Sequence, residues 1–183
     1  MARTGRRRAG RRSAGRRWST AWAALAAAPL LMGATSGDSG FEGRLLAAHN
    51  GARAALGVEP LHWNAALAAD AQAWATHLAA TGEFRHAPER ADTPEGENLW
   101  AGTKGYYVLE AMVDGWVREK RYFRPGRFPD NSTTGDVEDV GHYTQLMWRD
   151  TRQVGCALAS GAREDVLVCR YSSAGNWVGE EPF

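Results

Sequence analysis

The strongest constraint on the fold is the order in which helical and strand patterns occur along the chain. Three segments of helical periodicity, residues 41–57, 65–82 and 106–123, come first. Strand patterns are concentrated near the end, where residues 153–171 predict two strands joined by a turn containing Gly161. Because strands joined by a short turn run antiparallel, this order predicts an α+β fold with a small antiparallel sheet.

The connecting segments are expected to be irregular. Residues 84–105 and 124–141 are rich in proline, glycine and charged side chains, a composition typical of loops. Residues 142–151 predict a short fourth helix. No internal repeat is present, so a single domain is the simplest organisation.

The first 36 residues are predicted to be a secretory signal peptide. Residues 1–20 hold eight arginines and no acidic residue, and Ala21–Ala34 is a run of 14 apolar or small residues. A basic head, a short apolar core and small residues after it are typical of such a leader. The run is shorter than the roughly 20 residues of a membrane-spanning helix, so we expect no stable span in the mature protein. An uncleaved anchor is the alternative.

Removing this leader changes the charge of the chain. The whole sequence has 22 basic and 21 acidic residues, and residues 35–183 keep 14 basic residues against 21 acidic ones, a net charge of about −7. Nucleic acids and anionic membranes repel an acidic protein. The charge therefore argues against both as main partners of the mature domain.

Two cysteines remain in the mature domain. Cys156 and Cys169 lie on the two predicted strands near the end of the chain. In an exported protein an even pair indicates a disulfide, and two buried free thiols are the alternative. Two cysteines without a nearby pair of histidines do not predict a structural zinc site.

One acidic residue faces the wrong side of the third predicted helix. On a wheel at about 100° per residue, Val108, Met112 and Trp116 define the apolar face, and Glu119 falls at its centre. A carboxylate directed at the core costs several kcal/mol unless it is paired or hydrogen-bonded. Glu119 should therefore have a specific partner, either as part of a functional site or as a buried structural carboxylate.

Histidines are natural partners for this glutamate. Of the five in the chain, His86 and His142 border loops, where sites are commonly built, and Glu97 has a similar setting between glycine and asparagine. His49, His62 and His77 are expected to be structural or surface residues. No zinc-protease, nucleophile-elbow or P-loop motif is present.

These residues lie in motifs that resemble those of the CAP superfamily, which includes cysteine-rich secretory proteins, antigen 5 and pathogenesis-related class 1 proteins. The resemblance covers about residues 41–183, and the matching stretches are FRHAPE, GENLW, GWVREKRYF, GHYTQLMW and VLVCRYSSAGNWVG. It implies a single CAP (SCP) domain over residues 37–183. The expected fold is a three-layer α-β-α sandwich, with a small, mainly antiparallel sheet between helices.

The resemblance also implies a cleft lined by two histidines and two glutamates. Matched by motif, these are His86, Glu97, Glu119 and His142, and the cysteines match a pair on adjacent strands. Neutral imidazoles suit Zn²⁺ or another divalent metal, with the glutamates as bases or as groups that orient the ligands. The alternative is a metal-free, hydrogen-bonded quartet.

Three functions are compatible with this resemblance. We expect a secreted, monomeric, non-enzymatic extracellular binding module for a lipid, a sterol or a protein. One alternative is a metal-dependent, protease-like hydrolase in which Glu97 or Glu119 activates a metal-bound water. Another is a wall- or matrix-associated structural protein with a relic cleft. Phe123 and Phe128 lie where some relatives contact sterol, or they simply anchor their loop in the core.

Overall fold

The computed structural model describes residues 40–88 and 93–183. The predicted signal peptide lies outside these residues and stays a prediction, as does the start of the domain at residue 37. The described residues form one compact unit, and both hydrophobic clusters of the core lie within it. This unit therefore contains what it needs to fold by itself.

Helices and strands alternate irregularly along the unit. The helices are α1 (Phe41–Ala54), α2 (Ala65–Thr81), α3 (Leu109–Val117) and α4 (Gly141–Met147), with 3₁₀ turns at Arg118–Arg121 and Val137–Asp139. The strands are β1 (His62–Trp63), β2 (Gly96–Thr103), β3 (Gln153–Ser160) and β4 (Glu164–Ser172). The four helical segments and the late pair of strands confirm the α+β prediction.

The ends of α2 are set by local chemistry. The side chain of Asn64 accepts hydrogen bonds from the backbone N–H groups of Ala66 and Leu67, which have no partner inside the helix. At the other end Gly82 adopts a φ of 72°, a left-handed conformation that glycine reaches without strain. The helix therefore begins and ends where the sequence places an N-cap and a C-terminal glycine.

The sheet has the strand order β1-β3-β4-β2. β3 and β4 form an antiparallel hairpin, β2 pairs antiparallel with β4, and the two-residue β1 pairs parallel with β3. β2 corrects the expectation that residues 84–105 are mostly loop. Its glycines and flanking prolines obscure the strand pattern, and its pairing partner lies far away in the sequence.

Helices cover both faces of the sheet. One cluster of buried side chains joins α1, α3 and α4 to one face, and a second joins α2 to the other. Side chains of β4 alternate between them: Leu167, Cys169 and Tyr171 enter the first cluster, and Val166 and Val168 enter the second. This arrangement is the three-layer α-β-α sandwich that the resemblance implies.

The two cysteines form a disulfide. Cys156 of β3 and Cys169 of β4 are direct partners in the hairpin register, and their sulfurs are bonded. The disulfide prediction is confirmed, and the free-thiol alternative is wrong. The bond links the two central strands of the sheet.

A buried arginine joins α1 to the end of α4. Arg53 is fully buried and donates to the carbonyl oxygens of Glu59 (2.7 Å), Leu146 (2.8 Å), Trp148 (3.0 Å) and Thr151 (3.0 Å). Burial lowers the pKa of Arg53 to about 10, so the side chain is still cationic at neutral pH. Its charge compensates carbonyl groups that the end of α4 leaves without helical partners.

No helix within residues 40–88 and 93–183 combines the length and apolar character needed to cross a membrane.

Candidate functional site

Glu119 is held at the beginning of α4. One carboxylate oxygen accepts from the backbone N–H groups of His142 and Tyr143, both at 3.0 Å, and the other lies 2.6 Å from Nδ1 of His142. The first N–H groups of a helix need such acceptors. The expectation of a specific partner is therefore confirmed. The α-helix itself ends earlier than expected, at Val117, and Glu119 sits in the following 3₁₀ turn.

The hydrogen bond between Glu119 and His142 determines which ring nitrogen of His142 is left without a partner. A carboxylate only accepts hydrogen bonds, so Nδ1 of His142 carries the proton directed at Glu119. The ring stacks on Trp116 with a centroid distance of 6.2 Å, and its side chain is 33% exposed. Nε2 has no hydrogen-bond partner among the described residues. This nitrogen is therefore available to a ligand.

His86 and Glu97 repeat the same arrangement. Nδ1 of His86 lies 2.7 Å from one oxygen of Glu97, which also accepts from the backbone N–H of Ala87 at 3.0 Å. Arg170 donates to the second oxygen at 2.7 Å. Burial alone would raise the pKa of Glu97, but the bonds from His86, Ala87 and Arg170 lower it overall. The bond to Glu97 raises the pKa of His86, against the smaller effect of burial.

Arg170 is a site residue that the sequence analysis missed. It lies directly opposite Glu97 in the β2–β4 register, and its Nε donates to Glu95 at 3.0 Å. The side chains of Arg170 and Glu97 are 10% and 6% exposed. Since β2 was expected to be a loop, no sequence signal placed these two residues side by side.

The segment before His86 is fixed by an aromatic clasp. The indole N–H of Trp74 donates to the carbonyl of Arg85 at 3.1 Å, and the guanidinium of Arg85 lies 4.9 Å from the centroid of the same ring. Glu83 accepts from Arg85 at 2.9 Å. These contacts tie the chain leading to His86 to the exposed side of α2.

A cleft of about 480 Å³ opens beside the second pair. Residues that line it include His86, Glu97, Arg170, Asn176 and Trp177. Trp177 is 48% exposed, so an aromatic ring borders a cleft that also contains charged side chains.

Two asparagines connect this cleft to α4. Asn98, the neighbour of Glu97, donates to the carbonyl of His142 at 3.0 Å. Asn176 donates to the carbonyl of Gly141 at 2.9 Å and accepts from Thr144 at 2.7 Å. The structure thus pairs each histidine with one glutamate and links the two pairs through the backbone of α4.

A buried hydrogen-bond chain lies beneath the site. Nδ1 of His49 contacts the carbonyl of Leu45 at 2.7 Å, and Nε2 contacts the hydroxyl of Tyr171 at 2.9 Å. Asn98 donates to the same hydroxyl at 3.2 Å. Burial lowers the pKa of His49 to about 4, so it is neutral at physiological pH, and burial also raises the pKa of Tyr171. His49 is thus a core residue.

One cluster of potential metal ligands is found among the described residues, and it is not a metal site. His49, Cys156 and Cys169 place their ligand atoms within 4.8 Å of one another. The sulfurs are joined in a disulfide and both nitrogens of His49 are hydrogen-bonded. A metal needs thiolates and a free imidazole nitrogen. The four residues predicted for the cleft do not form such a three-ligand cluster.

The structure shows what Phe123, an aromatic residue of the 121–136 loop, packs against. Phe123 packs against Tyr143 and Phe183, with ring centroids 5.5 Å and 5.0 Å away. It is part of the margin of the core. For Phe123 the structure therefore favours loop anchoring over a free sterol-contacting surface.

Comparison with known proteins identifies the family. The model of the CAP family, the cysteine-rich secretory protein family, matches residues 46–171. Pathogenesis-related protein 1A of Nicotiana tabacum is 39% identical over 139 residues, covering 75% of this chain and 78% of its own. Pathogenesis-related protein PR-1 of Medicago truncatula is 35% identical over 146 residues, covering 78% and 79%.

Solved structures share the fold at lower identity. The crystal structure of NaASP2 with Zn²⁺ is similar with a TM-score of 0.66 and 20% identity, covering 76% of this chain and 83% of its own. Hookworm platelet inhibitor has a TM-score of 0.63 and 16% identity, covering 80% and 76%. Residues 46–171, which match the family model, include both histidine–glutamate pairs and the disulfide. The chain therefore belongs to the CAP, or cysteine-rich secretory protein, family.

Proposed function

We propose that the protein is a secreted extracellular binding module that holds a divalent metal between His86, which lines the cleft, and His142, whose Nε2 has no hydrogen-bond partner among the described residues. The observation that carries the proposal is the matched geometry of the two pairs. In each, Nδ1 contacts a glutamate at 2.6–2.7 Å. Such a carboxylate orients an imidazole and makes its other nitrogen a better ligand for metal.

The donor set fits a weakly held metal. Nε2 of His86 and Nε2 of His142 would be the ligands, and water or a bound ligand would complete the coordination. Two protein nitrogens are fewer than the three ligands of a typical catalytic zinc site. We therefore expect reversible binding of Zn²⁺ or a related ion. The fold neighbour NaASP2 has a structure with Zn²⁺.

The same contacts favour binding over hydrolysis. A general base that activates a metal-bound water needs a free oxygen of adequate basicity. Glu119 accepts three hydrogen bonds from His142 and Tyr143. Glu97 accepts hydrogen bonds from His86, Ala87 and Arg170. The lowered pKa of Glu97 further weakens it as a base. Neither Glu97 nor Glu119 is therefore free to act as the general base that the protease-like alternative needs.

The ligand class follows from the cleft and its rim. Trp177, which lines the cleft of about 480 Å³, is 48% exposed, and the next residue in the chain, Val178, is 79% exposed. Exposed apolar side chains around a concave site suit a lipid, a sterol or a protein side chain. The arginine-rich leader and the secretory family support export of the mature domain.

The test is a Zn²⁺ titration by calorimetry at about pH 7.5 on residues 37–183. The His86→Ala/His142→Ala variant should lose binding. A control is His62→Ala, which removes an exposed histidine that belongs to neither histidine–glutamate pair of the site. The control should bind like the wild type. No binding by the wild type, or equal loss in both variants, would refute the metal site.

The hydrolase alternative has its own measurement. Zn²⁺-loaded protein is incubated with denatured casein and with a fluorescent peptide library. We expect no turnover that depends both on zinc and on His86 and His142. Zinc-dependent cleavage lost in His86→Ala/His142→Ala would overturn the non-enzymatic proposal.

A further inference from the structure

Charge is strongly segregated in this acidic domain. The stretch REKRYFRPGR, residues 118–127, is called the basic segment below. It carries five basic residues and one acidic residue. Residues 35–183 as a whole carry 14 basic residues against 21 acidic ones. The basic segment is therefore a local concentration of positive charge on a protein that is otherwise negative.

The acidic residue of the segment does not neutralise this charge at the surface. Glu119 is turned inward to His142 and Tyr143, with 19% of its side chain exposed. All five basic residues are exposed: Arg118, Lys120, Arg121, Arg124 and Arg127. The 3₁₀ turn and the loop after it thus expose their cations to solvent, while the carboxylate of Glu119 points inward and bonds α4.

Four of these cations keep hydrogen-bonding capacity for an external anion. Arg118 pairs with Asp114 at 2.6 Å and is already engaged. Arg124 uses only Nε, which donates to a backbone carbonyl at 3.1 Å. Arg121 lies over the ring of Tyr122 at 4.6 Å. Within residues 40–88 and 93–183, the side chains of Lys120 and Arg127 have no ion pair or hydrogen-bond partner.

The two aromatic rings of the segment are partly buried and engaged by other side chains. Phe123 stacks on Phe183 and contacts Tyr143, and Tyr122 is covered by Arg121. Peripheral membrane binding combines cations with an apolar face that enters the lipid, and single-stranded nucleic acids stack on exposed aromatic rings. The basic segment presents neither feature beside its cations.

We infer that the basic segment is a docking surface for an acidic extracellular polysaccharide. A chain with repeated sulfate, phosphate or carboxylate groups offers several anions at close spacing, which guanidinium groups bind bidentately. Because the rest of the domain is acidic, such a polymer is repelled elsewhere and approaches through this face. This inference does not depend on metal binding in the cleft.

The test is calorimetric binding of a heparin-derived dodecasaccharide, as a defined sulfated probe, to residues 37–183 in about 50 mM NaCl. The test variant is Lys120→Ser/Arg127→Ser. The matched control is Lys104→Ser/Arg163→Ser, which removes two exposed cations near the β3–β4 turn. Both variants lose the same net charge, so long-range attraction changes equally and only the position differs.

We expect roughly tenfold weaker binding in the test variant and less than about twofold in the control. The slope of log affinity against log salt concentration should fall by about two units in the test variant alone. Absence of binding by the wild type, or equal weakening in both variants, would overturn the inference. So would tighter binding to vesicles with anionic phospholipid or to duplex DNA than to the dodecasaccharide.

Discussion

Protonation of the buried His49 should dominate the acid sensitivity of the fold. Burial, with a smaller contribution from Arg53, lowers its pKa from 6.5 to about 4, while the bond to Leu45 opposes the shift. A folded-state pKa below the unfolded value means that the unfolded chain binds the proton first. The contribution of His49 to the free energy of unfolding is therefore fully present above about pH 6.5 and is lost as pH decreases towards 4.

The size of the effect follows from the shift. One proton taken up on unfolding changes the free energy of unfolding by about 1.4 kcal/mol per pH unit. Over the interval from 6.5 to about 4, this amounts to about 3 kcal/mol. That is a large part of the typical stability of a small domain, which is about 5–15 kcal/mol.

Other groups affect this window less. The raised pKa of His86 has the opposite sign, because its stabilising contribution is lost as pH rises, but its side chain is 65% exposed and screened by solvent. The lowered pKa of Glu97 costs stability only as pH falls below its ordinary value of 4.5. Between about pH 4.5 and 6.5 His49 should therefore control the slope.

The assay is urea unfolding at pH steps from about 4.5 to 7.5, with the disulfide intact, for wild type and His49→Gln. Glutamine has a donor and an acceptor but no proton to gain. The variant should be less stable at pH 7 and should lose most of the pH dependence. An unchanged slope in His49→Gln would show that His49 is not the buried group that titrates.

Three further changes test the packing of the fold. Gly155→Ala places a Cβ against the backbone of Ala68 and should destabilise by about 1–3 kcal/mol, measured by thermal unfolding; an unchanged melting temperature would contradict the close approach of α2 and β3. Arg53→Met leaves four carbonyls without their donor and should cost at least about 3 kcal/mol in urea unfolding, whereas a loss below about 1 kcal/mol would mean that water replaces the guanidinium. Cys156→Ser/Cys169→Ser opens a loop with a sequence separation of 13 and should cost about 3 kcal/mol; equal stability of the variant and the oxidised wild type would refute this.

Sequence reasoning located the parts of the fold and site whose signals are local. The amphipathic pattern of α2 and its capping residues predict a helix, and the late pair of strands predicts the hairpin. Glu119 was identified as a carboxylate on an apolar face, and its three donors explain how that placement is tolerated. In these cases a short stretch of chain contains both the pattern and its cause.

The missed features depend on contacts between distant residues. β2 is a strand because β4 pairs with it, from Gly96 opposite Tyr171 to Thr103 opposite Glu164. Arg170 joins the site only through that pairing. The chain from His49 through Tyr171 and Asn98 to α4 likewise connects elements far apart in the sequence. Periodicity and composition contain no information on these pairings.

Nitrogen-15 NMR of the histidine side chains tests the central claim most directly, because it reports each imidazole nitrogen separately. At about pH 7.5, His86 and His142 should have their neutral-ring proton on Nδ1, the nitrogen that contacts a glutamate. Adding Zn²⁺ should shift the Nε2 resonances of these two histidines and leave those of the buried His49 unchanged. Protons on Nε2, or no zinc-induced shift at either His86 or His142, would contradict the claim that the glutamates prepare both imidazoles for a metal.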